Sequence, residues 1–580
     1  MTTKSEVRDG MRIDWDVPIT MDDGNVLRAD IFRPDDAQKY PVLMTYGPYA
    51  KGLPFQVGYV AQWEGLKRDH PEILKGTSTN HFNWETVDPE RWVPEGYVCI
   101  RVDSRGAGRS PGFLDPFSPR ETRDYYECIE WSAVQPWCTG KVGLLGVSYY
   151  GMNQWQVAAK RPPHLSAICP FEGASDWYRD ACRHGGILNT FWISWYPVQV
   201  INAQHGLGDR GRRNPNTGET IAGPANLNDS ELARNRVDIR NLQLNHTLID
   251  DYFKERIATL EDIEVPVLSC GNWGGQGLHL RGNVEGFWRA GSKQKWLEMH
   301  GLEHWTEFYT DYGVAIQKRF FDHFLKDVAN GWDKEPPLKL KIRTKDGFIE
   351  RDETEWPIAS TQWTPLYLDI TNNLLSNSST VKEAVKNFDS MKGEVNFRFE
   401  PFKQNTEITG PIALKVFVQS TKADADIFAT IRAFAPDGKE HLFVGAVDPN
   451  APVTQGWLRA SHRKLDAKQT KPYRPFHVHD EHQPLTPGET YELDIELWPT
   501  SFVFPKDYSL MLTISGKDFD HGLPEPMPKL YGKSQRGSSV FVHDDAVDRD
   551  KATYSGTTSL VVGPQHKAFL LLPVIPLIKR

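Results

Sequence analysis

Residues 142–151 read VGLLGVSYYG. An apolar run from Val142 to Val147 ends on Ser148, and MNQWQVAAKRPP (152–163) continues as a helix pattern stopped by a proline pair. A serine hydroxyl is a poor nucleophile until a base removes its proton. A strained strand-to-helix turn presents such a serine at the C-terminal edge of a parallel sheet, and it needs small neighbours because strand and helix approach closely. Gly146 supplies one, two residues before Ser148. Two residues after it stands Tyr150, with Gly151 next. The short motif is imperfect, so its surroundings must carry the reading. A serine that caps a structural helix is the alternative.

The surroundings alternate strand and helix. RIDWDVPITM, VLRADIFRP and YPVLMTYGPY between 12 and 50 are β in pattern, with DDGN as a hairpin turn. CIRVD (99–103) is a short buried strand that ends in a glycine-rich turn. ETRDYYECIEWSAVQ (121–135) has helical spacing. LSAICPFEG (165–173), VPVLSCGNW (265–273) and QKWLEMHG (294–301) continue the strands. This order predicts a parallel sheet with crossover helices. Residues 174–260 interrupt it with an aromatic, Asn-rich, largely helical segment, read as an inserted cap. After about 336 short alternating strands take over, among them LKLKIRT, IALKVFVQS, IFATIRAFA, YELDIELWP, YSLMLTISG, SSVFVH and TSLVVG. They predict a jelly roll or sandwich. The expected division is an α/β-hydrolase domain over 1–173 and 261–330, a helical cap over 174–260, and a jelly-roll β-sandwich over 338–580, with DVANGWDKEPP (327–337) as the boundary.

Composition narrows the function. The 580 residues carry a net charge of −9 with no basic stripe, which argues against nucleic acid as a partner. The N-terminus is polar, without a signal-peptide core. No apolar run reaches about 18 residues, so no membrane span is expected. AFLLLPVIPLI (568–578) is short and broken by prolines, and reads as a final strand. The six cysteines, all within the first 270 residues, show no CxxC pair, and the expected setting is the reducing cytoplasm. With 19 Trp, 20 Tyr and 28 Phe, aromatic-lined pockets are expected as well as core.

A base should follow Ser148, in the order serine, acid, histidine. HGLEHWTEFY (300–309) offers His300 and His304. His304 lies further into the loop beyond its strand, where a base reaches the serine; His300 reads as structural.

At these residues the chain resembles the cocaine esterase and X-Pro dipeptidyl-peptidase-like (CocE/NonD) serine hydrolases, which include α-amino-acid ester hydrolases. The resemblance runs through YGPYAKG (46–52), VDSRGAGRSPG (102–112), QPWCTGKVGLLGVSYYG (135–151) and VPVLSCGNW (265–273). In the β region it runs through GWLRASHRKLD (456–466) and PLTPGETYELDIELWPTSFVFPKDYSLMLTISG (484–516). It implies an α/β-hydrolase domain, a cap and a jelly roll. It also implies Ser148 as nucleophile, His304 as base, an oxyanion hole from the Tyr149 N–H and the Tyr49 hydroxyl, and a homodimer.

One feature departs from the family. Its acid stands in a Trp-Tyr-Asp phrase, but here Trp273 is followed by Gly274 and Gly275. Glu172, at the end of the preceding strand, keeps the chain order and is the leading substitute, with a structural salt bridge to Arg105 or Arg179 as its bland alternative. Asp176, Glu303 and Asp311 are further candidates, and loss of catalysis is another outcome. Trp192, Trp195, Tyr196 and Trp273 are expected to shape the pocket. FHVHDEH (476–482) offers metal-ligating residue types, but the resembling family has a similar His-bearing loop and needs no metal there. GAGRSPG lacks the phosphate-loop ending, and DDAVDRDK (544–551) lacks a calcium-loop register.

The expected function is hydrolysis of an ester or amide of a small acyl substrate through an acyl-enzyme, without cofactor or metal. An X-Pro dipeptidyl-peptidase-like activity and a degenerate hydrolase acting as a binding protein are the alternatives.

Overall fold

The computed structural model describes residues 4–379, 382–524 and 529–576. The extreme ends of the sequence-drawn ranges 1–173 and 338–580, and the tail of the 568–578 segment, lie outside the described residues.

Among the described residues, eleven strands form the first sheet. Their order is Lys4–Arg8, Met11–Thr20, Val26–Arg33, Val98–Asp103, Tyr40–Gly47, Cys138–Val147, Leu165–Phe171, Val267–Asn272, Lys295–His300, Leu338–Thr344 and Gly347–Glu353. The seven from Val98–Asp103 to Leu338–Thr344 run parallel. Parallel strands are covered on both faces and so read as continuous apolar runs. Each of Val98–Asp103 and Val267–Asn272 is buried at every residue. The helix Pro119–Ala133 starts where Ser118 Oγ accepts from the Glu121 N–H at 3.2 Å, with proline at the first position.

The hairpin Leu338–Thr344/Gly347–Glu353 corrects the sequence-drawn boundary. It was expected in the β domain, yet Leu338–Thr344 adds to the first sheet beside Lys295–His300, with Leu297 opposite Leu338. Leu338, Leu340 and Ile342 are buried. An alternating strand can extend a parallel sheet at its edge, and nothing local marks that choice.

Residues 174–260 hold short helices, including Phe191–Trp195, Asp229–Arg234 and Ile239–Asn245, and a small hairpin, Arg183–His184 with Ile187–Leu188. The second β domain closes on itself. From Thr406–Ser420 the strands pass through Tyr491–Phe504, Thr454–Arg459, Asp426–Phe434, Ser509–Ser515, Glu394–Arg398, Leu374–Ser376, Gln362–Asp369 and Phe569–Ile575, which pairs again with Thr406–Ser420. Its inward residues form a separate core. SSVFVH (538–543), expected as a strand, is irregular. Val540 and Phe541 instead pack into the first domain's core, and Val542 O accepts from the Thr190 N–H at 2.9 Å.

Among the described residues no helix is long and apolar enough to cross a membrane.

Candidate active site

Ser148 follows the strand Cys138–Val147 and precedes the helix Tyr149–Ala158, with φ 58° and ψ −116°. That conformation is strained for a non-glycine residue, and such strain concentrates at functional sites. The crowding explains the glycines. A Cβ on Gly146 would lie 2.5 Å from Tyr150 Cβ, and one on Gly151 2.6 Å from Phe171 O. Gly151 therefore supplies the second small position, while the Tyr150 ring packs on Tyr49 at 5.6 Å.

The other candidates leave neighbouring strand ends, where ligands gather in parallel sheets. Glu172, with φ 41°, follows Leu165–Phe171, and His304 lies beyond Lys295–His300. The two meet: His304 Nδ1 is 2.7 Å from Glu172 Oε2. Asn272 Nδ2 donates to the other oxygen, Glu172 Oε1, at 3.0 Å, and His300 Nε2 lies 3.4 Å from it. His300 Nδ1 is held by Glu298 at 2.7 Å, which makes His300 structural. Burial opposes charge on Glu172, but the two histidines overcome it and draw its carboxyl down to about 2. Burial also disfavours the His304 cation, yet Glu172 and Glu85 hold it up to about 10.

The remaining acids are engaged elsewhere. Asp176 caps the turn Trp177–Cys182 and pairs with Arg179 at 2.7 Å. Glu303 accepts from Thr306, and Asp311 pairs with Arg91. Arg105, the bland partner considered for Glu172, pairs with Asp23 and Asp124.

The expected contact between His304 and Ser148 is not made. His304 Nε2 faces Glu85 Oε1 at 3.0 Å, and Ser148 Oγ instead lies 3.2 Å from His279 Nε2. The His279 and His304 rings stack at 5.2 Å, 10° from parallel. Neither Glu85 nor His279 was singled out in the sequence. His279 carried one signal: it opens the helix Leu280–Arg289 just beyond a core strand end. Glu85, in HFNWETVD, carried none. Its backbone O accepts from the Val147 N–H at 3.1 Å, which ties its loop to the elbow. Burial pushes the Glu85 carboxyl up to about 7, against its hydrogen bond to His304.

Ser148, Tyr49, Glu85, His279, His304, Trp192 and Trp195 line one narrow cavity of about 50 Å³. The Tyr149 N–H stands at the first helical position, where backbone donors have no intrahelical acceptor. Burial raises the Tyr49 hydroxyl well above its ordinary value, so it remains a donor. Two pocket expectations need correction. Trp273 is buried away from the cavity, where it donates to Lys341 O at 2.8 Å and packs on Trp356. Tyr196 lies behind Trp195 and does not line the cavity.

Gly274, the first of the two glycines after Trp273, abuts the β domain, while Gly275, where the family's acid was expected, faces Asn272 O of its own turn. A Cβ on Gly274 would come within 2.5 Å of Gly445 Cα and 2.8 Å of Ala446 N. Ala446 N–H donates to Gly274 O at 3.0 Å, and Ala446 O accepts from the His304 N–H at 2.9 Å.

In the 476–482 loop, His479 Nδ1 lies 3.0 Å from His462 Nδ1, and His482 pairs with Thr247 at 3.0 Å. Among the described residues, the group spaced to hold a metal is Asp9, His81 and Glu90, which shares no residue with the cavity.

The X-Pro dipeptidyl-peptidase (S15 family) matches residues 23–306, and the X-Pro dipeptidyl-peptidase C-terminal non-catalytic domain matches 330–570. The cocaine esterase of a Rhodococcus species is 24% identical, over 96% of this chain and 98% of its own. An archaeal aminopeptidase, from Thaumarchaeota, superposes with a TM-score of 0.69 at 15% identity, over 99% of this chain and 96% of its own, a likeness of fold alone. A CocE/NonD family hydrolase from Staphylococcus aureus superposes with a TM-score of 0.83 at 31% identity, over 99% of this chain and 97% of its own. By that likeness along its whole length, this chain belongs to the CocE/NonD family of hydrolases.

Proposed function

We propose that this serine hydrolase cleaves an ester or amide of a small acyl substrate through an acyl-enzyme on Ser148. In this reading its architecture is an α/β-hydrolase domain with an inserted cap and a jelly-roll domain. Ser148 Oγ attacks the carbonyl carbon as its proton passes to His304 Nε2. Glu172 holds the His304 Nδ1–H and stabilises the imidazolium. The Tyr149 N–H and the Tyr49 hydroxyl receive the oxyanion, a contribution of about 10²–10³ in rate per donor. His304 then returns the proton to the leaving group, and water releases the acid by the same steps. The observation that carries this reading is the 2.7 Å pair of His304 and Glu172 at the wall of the cavity that holds the Ser148 elbow. For the chemistry to proceed, His304 Nε2 must exchange Glu85 for Ser148.

A narrow cavity of about 50 Å³ favours a short acyl group. It adjoins wider spaces of about 230 and 390 Å³, which share Gln62 and Leu530 with it and suit a leaving group. A peptidase acting on free-amine substrates has one observation in its favour. Glu85 is a buried carboxyl that lines the cavity, and its Oε2 makes no well-formed hydrogen bond among the described residues. The six buried, unpaired cysteines support a reducing, cytoplasmic setting.

Fluorophosphonate labelling and p-nitrophenyl acetate turnover test the reading. Wild type is expected to label and turn over, Ser148→Ala to do neither, and His304→Gln to lose at least about 10³ in rate. A wild type that neither labels nor turns over would leave a binding protein. Faster cleavage of an X-Pro p-nitroanilide with a free amine than of its acetylated form would favour the peptidase.

A further inference from the structure

We propose that His279 is a catalytic hydrogen-bond donor to Ser148, fixed in its neutral Nε2–H form, and that it is barred from acting as the base. The inference rests on Ser148 as the nucleophile and adds a residue to that chemistry.

The argument is one of proton placement. Ala174 N–H donates to His279 Nδ1 at 3.1 Å. A backbone amide can only donate, so Nδ1 presents its lone pair. A neutral imidazole carries a single ring proton, which must then sit on Nε2. Nε2 lies 3.2 Å from Ser148 Oγ, so the hydrogen bond runs from His279 to the serine. A base needs the reverse: a bare Nε2 towards the hydroxyl and an Nδ1–H with an acceptor behind it.

The surroundings hold this arrangement in place. Ala174 cannot shift, because its segment packs on the helix Leu280–Arg289. A Cβ on Gly282 would come within 2.5 Å of Ala174 Cα, and Gly173 N–H donates to Asn283 Oδ1 at 2.9 Å. A second proton on His279 would set N–H against N–H at Ala174. It would also place a cation parallel to His304, 5.2 Å away. Burial and the neighbouring His304 charge both drive His279 well below the ordinary histidine range.

The consequence falls on the oxygen that reacts. Because Oγ accepts from His279, its own hydrogen points elsewhere and is available to His304. As the Oγ–C bond forms, the serine proton goes to His304 Nε2 and the carbonyl π pair becomes the oxyanion. His279 keeps its proton throughout and bonds to the negative charge that builds on Oγ. When water releases the acyl group, the Oγ–C bond breaks, and the same donor receives the departing oxygen. One fixed N–H therefore assists both halves of the cycle. By analogy with other fixed donors, its removal should cost about 10²–10³ in rate.

The full-length chain tests this with His279→Phe, which removes the donor, and His279→Gln, whose side-chain N–H can replace Nε2–H. Both are compared with His304→Gln by kcat/KM for p-nitrophenyl acetate across pH. His279→Phe is expected to lose about 10²–10³. His279→Gln should recover at least about tenfold, and both should keep the wild-type acid limb, which only His304→Gln should abolish. Wild-type activity in His279→Phe would overturn the proposal. So would loss of the acid limb in both His279 variants with its retention in His304→Gln, which would make His279 the base. If His279→Phe does not fold, ¹⁵N shifts of histidine-labelled wild type decide: a proton on Nε2 is expected, and one on Nδ1 refutes the inference. Failure of Ser148 to label would defeat the hydrolase reading, while the NMR result would still report the tautomer.

Discussion

At the scale of residues, the site is a set of protons with assigned places. Glu172 sits between two histidines and stays ionised; Glu85 sits in the same cavity and is a neutral acid below about 7. The difference is one of company. Glu172 takes His300, His304 and Asn272, whereas Glu85 has a single histidine, His304, with the Trp84 side chain beside it. His304 must be neutral to accept the serine proton, so activity should rise with pH as the imidazolium loses its proton. Glu85 helps to hold that proton. Glu85→Gln removes a negative charge from beside it, so the imidazolium ionises at lower pH. The acid limb of kcat/KM is expected to move down by about one unit, equivalent to about 1.4 kcal/mol. A limb that stays in place would show that Glu85 does not load the base. Glu172→Gln acts in the opposite sense on rate, with an expected loss of about 10³–10⁴ from a base without its orienting carboxylate. Ser148, Glu172 and His304 were legible as candidates because each lies just beyond the end of a core strand, and strand ends can be counted along the chain. Glu85 was not. It lies in a loop, 63 positions before Ser148, and reaches the site only because its backbone O meets Val147 N.

At the scale of elements, the two glycines after Trp273 have different neighbours. Gly274, the place of the family's tyrosine, has no room for a side chain beside Gly445 and Ala446, whereas a Cβ on Gly275, the place of its aspartate, would meet its own turn, with Asn272 O at 3.1 Å and Leu280 N at 3.3 Å. The segment around Gly445 and Ala446 hydrogen-bonds both Gly274 and the His304 backbone, so one contact holds the glycine turn and the histidine loop together. In the proposed mechanism the carboxylate comes from one strand across, at the end of Leu165–Phe171. Gly274→Asp, placed in the Glu172→Gln background, should therefore restore nothing. It should also destabilise the chain by about 1–3 kcal/mol, the usual cost of overpacking, as read by urea unfolding. Recovery of turnover would mean that the segment yields and that a carboxylate at this position can reach His304. The sequence showed both glycines but not the reason for Gly274, since the neighbour that crowds it lies about 170 residues later. The same distance hid the fate of 338–353. Its strands were legible as strands, yet which sheet they join depends on the exposed edge of Lys295–His300, and no local pattern records that edge.

At the scale of the whole molecule, the parts are locked by ion pairs closed to water. Arg183, in the small hairpin of the 174–260 segment, pairs with Asp548 of the β domain at 2.7 Å. Arg459 bridges Asp548 at 2.9 Å and Asp426 at 2.8 Å, and Arg549 adds a second contact to Asp426 at 2.9 Å. Asp548 also accepts from the Leu188 N–H at 3.0 Å, so one carboxylate ties the hairpin backbone and two arginines together. Arg183 is fully buried. Such a cluster is a weak source of net stability compared with apolar packing, but removing one partner strands a buried charge at a cost of about 3–5 kcal/mol. Asp548→Asn is expected to lower unfolding stability by that amount at pH 7. The pH dependence has a definite sign. Burial would raise the Asp548 carboxyl, but Arg459 and Arg183 outweigh it and hold it well below the usual range. A carboxyl with a lower pKa in the folded state contributes fully above its unfolded value, about 4, and its contribution is lost as pH falls below that. Urea midpoints of wild type and Asp548→Asn should thus differ by the same margin at pH 7 and pH 5, and converge below pH 4. If the margin instead closed between pH 7 and pH 5, a group other than Asp548 would be holding the hairpin to the β domain.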